Sequence, residues 1–207
     1  AGGQVIAALD DYEEAARLNP ADPTIYFHRG QAYNARGQFA LAIGDFGETI
    51  RLAPDDARAF IARGQTYFYL GRFRAAGDDF ARANELAPGD ARVALWHHLA
   101  LLREQGGRAS RLRAQAAKLD LAAWPAPVVR HYLGELKPEQ VLDAASVGDP
   151  ATERERFCEA YFYLGEGAVI AGEVAAAAAL MRFTIDTCAN NQVEYRTART
   201  ELSRLAQ

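Results

Sequence analysis

The 207-residue chain has two lysines, Lys118 and Lys137, two cysteines and one methionine. Its 23 basic residues do not outnumber its 27 acidic ones, and the formal net charge is -4. A nucleic-acid binder needs a basic face to meet phosphates, so nucleic acid is not an expected partner. No run of 18 apolar residues occurs. The longest apolar stretch, 174–181, is mostly alanine and too short to span a bilayer. There is no phosphate-cradling glycine loop, no nucleophile elbow and no His-Glu-x-x-His helix. The four histidines, His28, His97, His98 and His131, stand in no recognisable triad setting. No catalytic residue, metal ligand or cofactor is expected.

What the chain does have is a period. Leu18-Asn19-Pro20, Leu52-Ala53-Pro54 and Leu86-Ala87-Pro88 stand 34 residues apart. Arg29-Gly30-Gln31-x-Tyr33 and Arg63-Gly64-Gln65-x-Tyr67 keep the same interval, as do Ala42/Phe46 and Ala76/Phe80. Such a period with this content resembles a tetratricopeptide array, in which each repeat is a helix-turn-helix unit. With half of the residues hydrophobic, the expected fold is all-α: a tetratricopeptide-repeat superhelix with a C-terminal divergent repeat and capping helices.

Taken in order, 4–123 reads as the repeat region. Residues 4–20 fit the second helix of a truncated repeat, as if the chain were cut partway into one after Ala1-Gly2-Gly3. Full repeats follow at 23–56 and 57–90. Asp22-Pro23 is a helix start, an acidic N-cap followed by a proline whose missing N–H costs nothing there. Gly30 admits a close partner helix, Gly37 ends the first helix, and Pro54 cannot continue the second. The unit 91–123 is degenerate, with His98, Leu101 and Ala114 at the glycine, tyrosine and phenylalanine places. Its turn is expected at Gln105-Gly106-Gly107 and its second helix over about 108–120. In 124–207, Trp124-Pro125-Ala126-Pro127 breaks the pattern, short helices are expected at 127–133 and 138–145, and Asp149-Pro150 opens another. A divergent repeat fits 158–191, with Met181 at the phenylalanine place, and a cap helix fits 192–205. Arg196, Arg199, Glu201 and Arg204 supply the polar outer face that a terminal helix needs.

Trp124-x3-Val128-Val129-x2-Tyr132-Leu133-Gly134, Glu139-x-Val141-Leu142, Glu159-Ala160-Tyr161-Phe162-Tyr163-Leu164-Gly165 and Glu194-Tyr195-x2-Ala198-x2-Glu201-Leu202 resemble the C-terminal part of NlpI-like bacterial lipoproteins. That resemblance implies a homodimeric adaptor of the periplasm, anchored to the outer membrane by a lipid whose attachment segment is absent from this sequence. It also implies peptidoglycan hydrolases and a processing protease as partners. The alternative is a structural homodimeric module of the cytoplasm or envelope with its groove filled internally.

In repeat register Cys158 opens the first helix and Cys188 closes the second helix of one antiparallel pair, so a disulfide is geometrically reasonable and fits an oxidising compartment. The alternative is two buried thiols. Adjacent helical residues diverge by roughly 100 degrees, so His97 and His98 do not share a metal; one packed and one solvated imidazole is expected. Asp10-Asp11-x-Glu13-Glu14 and Asp78-Asp79 are expected on solvated helix faces.

The constellation with most functional content is the groove lined by first helices. By register it presents Thr24, Phe27, Gln31 and Asn34, then Arg58, Ile61, Gln65 and Phe68, then Arg92, Leu95 and Leu99. Apolar anchors ringed by amides suit an extended peptide or a helix laid in a groove. Proteins or peptides are therefore the expected partners. The competing expectation is a groove filled by the chain's own C-terminal helices or by a second subunit.

Overall fold

The computed structural model describes residues 2–105 and 110–206, and within them the side chains of 9–104 and 112–206. Every regular element among these residues is helical. The chain divides into two compact units, Ala1–Ala87 and Pro88–Gln207.

The first unit holds α1 (Gly2–Leu18), α2 (Pro23–Ala35), α3 (Phe39–Leu52), α4 (Ala57–Tyr69) and α5 (Phe73–Leu86). The Asp22 and Asp56 carboxylates accept from the backbone N–H of Thr24 and Arg58 at 2.9 and 3.0 Å, satisfying orphan donors of α2 and α4. Each first helix ends at a glycine with φ +74, Gly37 and Gly71, a left-handed turn that favours glycine over any residue bearing a Cβ. The helices then pair as α2 with α3 and α4 with α5. At both crossings a glycine meets a phenylalanine: Gly30 lies under Phe46 and Gly64 under Phe80, both rings fully buried. Sixteen residues also separate Arg29 from Asp45 and Arg63 from Asp79, and each arginine donates two hydrogen bonds of 2.7–2.8 Å to its partner. Asp79 is thus buried and paired, not on a solvated face as the sequence suggested, whereas Asp10, Asp11, Glu13, Glu14 and Asp78 are exposed.

The second unit holds α6 (Ala91–Gln105), α7 (Ser110–Ala116), α8 (Ala126–Tyr132), α9 (Pro138–Ala145), α10 (Pro150–Ala171), α11 (Val174–Thr187) and α12 (Val193–Leu205). The expected turn at 105–107 falls largely outside the described residues. The degenerate unit belongs with the C-terminal helices, not with the two full repeats, because α6 is wrapped by its own unit. Positions 93–100 are buried without a break. Trp96 meets Phe162 and Tyr163 of α10 at 5.1 and 6.3 Å between ring centroids. The second helix of the degenerate unit is shorter than expected: α7 stops at Ala116, and turns lead to a cis Trp124–Pro125 bond ahead of α8. Residues 150–171 form one continuous helix, since no residue between Pro150 and Gly172 stops it.

α10 and α11 keep the repeat crossing in diluted form. A Cβ on Gly165 would stand 3.0 Å from Met181 Cε, so methionine fills the place of the phenylalanine ring. Cys158 and Cys188 form a disulfide across this pair, with Cα atoms 4.8 Å apart.

Candidate functional site

In the first unit the groove positions separate into a floor and a rim. Phe27 is buried, packed 5.9 Å from Phe46. Phe68 has no exposed surface and meets Phe73 edge-on at 5.0 Å. Both rings serve the core, and Phe68 is not the exposed aromatic anchor that register suggested. Thr24, Gln31 and Arg58 are exposed, and Asn34, Ile61 and Gln65 are half-buried. Arg58 ties the rim to the floor. Its guanidinium stands 5.3 Å from the Phe27 ring centroid and donates to Asp56 at 2.9 and 2.7 Å. Those hydrogen bonds hold the Asp56 carboxyl below its usual range. Gln31 shares a 3.1 Å hydrogen bond with His28, whose ring stacks on Tyr12 of α1. The open face of α2 and α4 is therefore a strip of hydroxyl, amide, imidazole and guanidinium groups over an aromatic floor. Such a strip offers donors and acceptors to a peptide backbone.

In the second unit the groove positions Leu95 and Leu99 are covered, with no exposed surface, while Arg92 is exposed. Arg92 donates from Nε to Glu159 of α10 at 2.8 Å, and Glu159 also accepts from Trp124 Nε1 at 2.8 Å. About three turns further along the same face of α6, Arg103 donates to Glu166 of α10 at 2.8 Å and to Glu201 of α12 at 3.1 Å. Here the chain's own helices lie where a ligand would.

This corrects two sequence expectations. Glu201 is no part of a polar outer face; it is buried and receives Arg103 and Arg204. His97 and His98 are both buried. His97 shares a hydrogen bond with Gln115 of α7 at 3.2 Å, and His98 meets Tyr132 of α8 edge-on at 5.1 Å. Burial lowers the His98 pKa to about 4, so the imidazole is neutral. Among the described residues no group of three or more His, Cys, Asp or Glu side chains is placed to hold a metal ion, and no helix is long and apolar enough to cross a membrane.

Sequence reasoning missed the bidentate pairs at Asp45 and Asp79, although their 34-residue recurrence was visible. It also missed the Arg92 and Arg103 clusters, whose partners lie 63 to 98 residues away and leave no local signal.

Antiparallel helix pairs recurring every 34 residues, each closed by a glycine-to-aromatic crossing and carrying an open polar strip, define a helical-repeat interaction scaffold. Residues 1–35 match the family model described as TPR repeat, and residues 31–91 match the one described as tetratricopeptide repeat. The first 91 residues thus resemble tetratricopeptide repeats, modules of protein–protein interaction that are in general not catalytic. Among solved structures, a tetratricopeptide repeat protein from Parabacteroides merdae ATCC 43184 is 18% identical with a TM-score of 0.58, over 96% of this chain and 78% of that one. YrrB, described as a TPR protein with an unusual peptide-binding site, is 16% identical with a TM-score of 0.47, over 93% and 97% of the two chains. The P58(IPK) TPR domain is 18% identical with a TM-score of 0.45, over 100% and 61%. No curated protein matches the chain.

Proposed function

We propose that this chain is a non-catalytic adaptor of the bacterial periplasm that holds a peptide segment of one envelope protein on the α2–α4 face. The observation that carries the reading is the contrast between the two units. Thr24, Gln31 and Arg58 stand open in the first, whereas on α6 Leu95 and Leu99 are covered and the exposed Arg92 is engaged by Glu159. The Cys158–Cys188 disulfide supports an oxidising compartment, because structural disulfides are rare in cytosol. The likeness of the Tyr-Leu-Gly and Glu-Tyr blocks to NlpI-like lipoproteins adds cell-wall hydrolases and an envelope protease as partners, and a lipid anchor and a homodimer as the setting. Bringing two such proteins to one platform raises their effective concentration.

The test is affinity capture from envelope extract with the wild-type chain and with a Thr24→Ala, Gln31→Ala, Arg58→Ala variant. Recovery of a cell-wall hydrolase or envelope protease by the wild type, lost in the variant, is expected. Recovery of cytosolic proteins alone would overturn the reading.

The covered α6 positions favour a second reading, a homodimeric assembly module that uses no groove. The triple variant separates the two: that module predicts that Thr24→Ala, Gln31→Ala, Arg58→Ala leaves every partner bound.

A further inference from the structure

Two clusters of the same composition cross one helix interface in the second unit. In the first, Arg92 of α6 meets Glu159 of α10, and Glu194 of α12 lies within their electrostatic reach. In the second, Arg103 of α6 meets Glu166 of α10 and Glu201 of α12. The residues recur at 11, 7 and 7 positions along the three helices, so each trio stays on one face of its helix. In the second cluster two carboxylates share one α6 guanidinium, whereas in the first the half-buried Glu194 reaches Arg92 and Glu159 through the electrostatic field alone. Arg204 gives Glu201 a second, partly exposed cation. Glu166 is wholly buried, and its Oε1 has no hydrogen-bond partner.

A buried carboxylate with half a cation is better off protonated. We propose that α12 is a proton-dependent latch: the Arg103 cluster holds it on α6 and α10 while Glu166 keeps a proton, the Glu194 carboxyl acts in the same sense, and docking weakens as protons leave. The groups facing Glu166 are Arg103 of α6, Glu201 and Arg204 of α12, and the Tyr132 phenol of α8. Those facing Glu194 are Glu159 and Tyr163 of α10, Arg92 of α6 and Arg196 of its own helix. Burial keeps both phenols neutral, since it pushes them well above their ordinary range. Burial, and beyond it the neighbouring Glu201, pushes the Glu166 carboxyl up. Burial, aided by Glu159, pushes the Glu194 carboxyl up to about 7. Opening α12 exposes acids that are ionised at neutral pH, so loss of the protons favours the open form. The latch would give the second unit a helix that releases on the alkaline side of neutrality and uncovers α10.

The experiment is amide hydrogen exchange of 193–205 in the full chain at pH 6, 7 and 8, corrected for intrinsic exchange. The opening constant of α12 is expected to rise about tenfold from pH 6 to pH 8 for one such group, and about a hundredfold for both. In a Glu166→Gln, Glu194→Gln variant the profile is expected to be flat, and each single variant to lose about half the slope on a logarithmic scale. A flat wild-type profile, an opening constant that falls with pH, or a slope that survives the double substitution overturns the proposal. If the double variant does not fold, the wild-type and single-variant profiles decide by the same criteria.

Discussion

Gly30 and Phe46 set the distance between α2 and α3: a Cβ built on Gly30 would stand 2.8 Å from Phe46 Cε1, inside the ring's van der Waals surface. Gly30→Ala must therefore push the ring or part the helices. Overpacking of this kind costs about 1–3 kcal/mol, against up to about 1 kcal/mol of helix propensity gained. Net destabilisation of about 1–2 kcal/mol is expected by urea unfolding followed by circular dichroism. Gly44→Ala in α3 is the control. Nothing lies within 4 Å of its Cβ, so it should stabilise by roughly 0.5–1 kcal/mol.

Removing one partner of the Arg63–Asp79 pair should cost more than removing both. Asp79 is buried and takes two hydrogen bonds from Arg63. Arg63→Met strands that carboxylate, a loss of about 2–4 kcal/mol given that the arginine is partly exposed. Arg63→Met with Asp79→Leu should recover much of it. A double-mutant cycle by urea denaturation reads the coupling; additive losses would contradict the account.

The disulfide can be examined through fluorescence, because both tryptophans, Trp96 and Trp124, lie in the second unit. Closing a loop of sequence separation 30 restricts the unfolded chain by about 3–4 kcal/mol on the loop-entropy relation. Cys158→Ala with Cys188→Ala should lower stability by about that amount in tryptophan-detected unfolding. Thiol titration of the denatured, unreduced wild type should find no free sulfhydryl.

Stability of the second unit should fall as the pH rises from about 5 to 8, because two raised carboxyls outweigh one lowered imidazole. The raised folded-state pKa values of Glu166 and Glu194 mean that the folded form binds protons more tightly than the unfolded one. Their contribution is present below about 4.5 and is lost as the pH rises through about 7, roughly 1 kcal/mol per group between pH 6 and 8. The lowered pKa of His98 acts the other way. Its contribution is present above the ordinary value of 6.5 and is lost as the pH falls toward about 4. Tryptophan-detected urea unfolding at pH 5, 6.5 and 8 reads the net slope. Glu166→Gln with Glu194→Gln should turn the fall between pH 5 and 6.5 into a rise and flatten the profile above it, and His98→Asn should steepen the fall between pH 5 and 6.5.

Much of the first unit was legible because its determinants are local and repeated. Asp22, Gly37, Pro54 and the Gly30/Phe46 interval each act within one helix pair, and their copies 34 residues on repeat the instruction. The cysteine pair was legible for the same reason, since both residues belong to one helix pair. The candidate site was legible in part. Register placed Thr24, Gln31 and Arg58 where the structure exposes them, but it could not distinguish rim from floor at Phe68. That ring's exposure depends on how it meets Phe73.

By itself the sequence determined the helical class, the 34-residue repeat, the helix starts and stops of the first unit and the disulfide's partners, because period, caps and turns act over a few residues. Only the tertiary structure decided that His97, His98 and Glu201 are buried, that Leu95 and Leu99 are covered, and that Arg92 and Arg103 each meet glutamates from distant helices. The Arg92 and Arg103 pairings join helices 63 to 98 residues apart, and His97 and His98 meet α7 and α8; no local pattern encodes which surfaces come together.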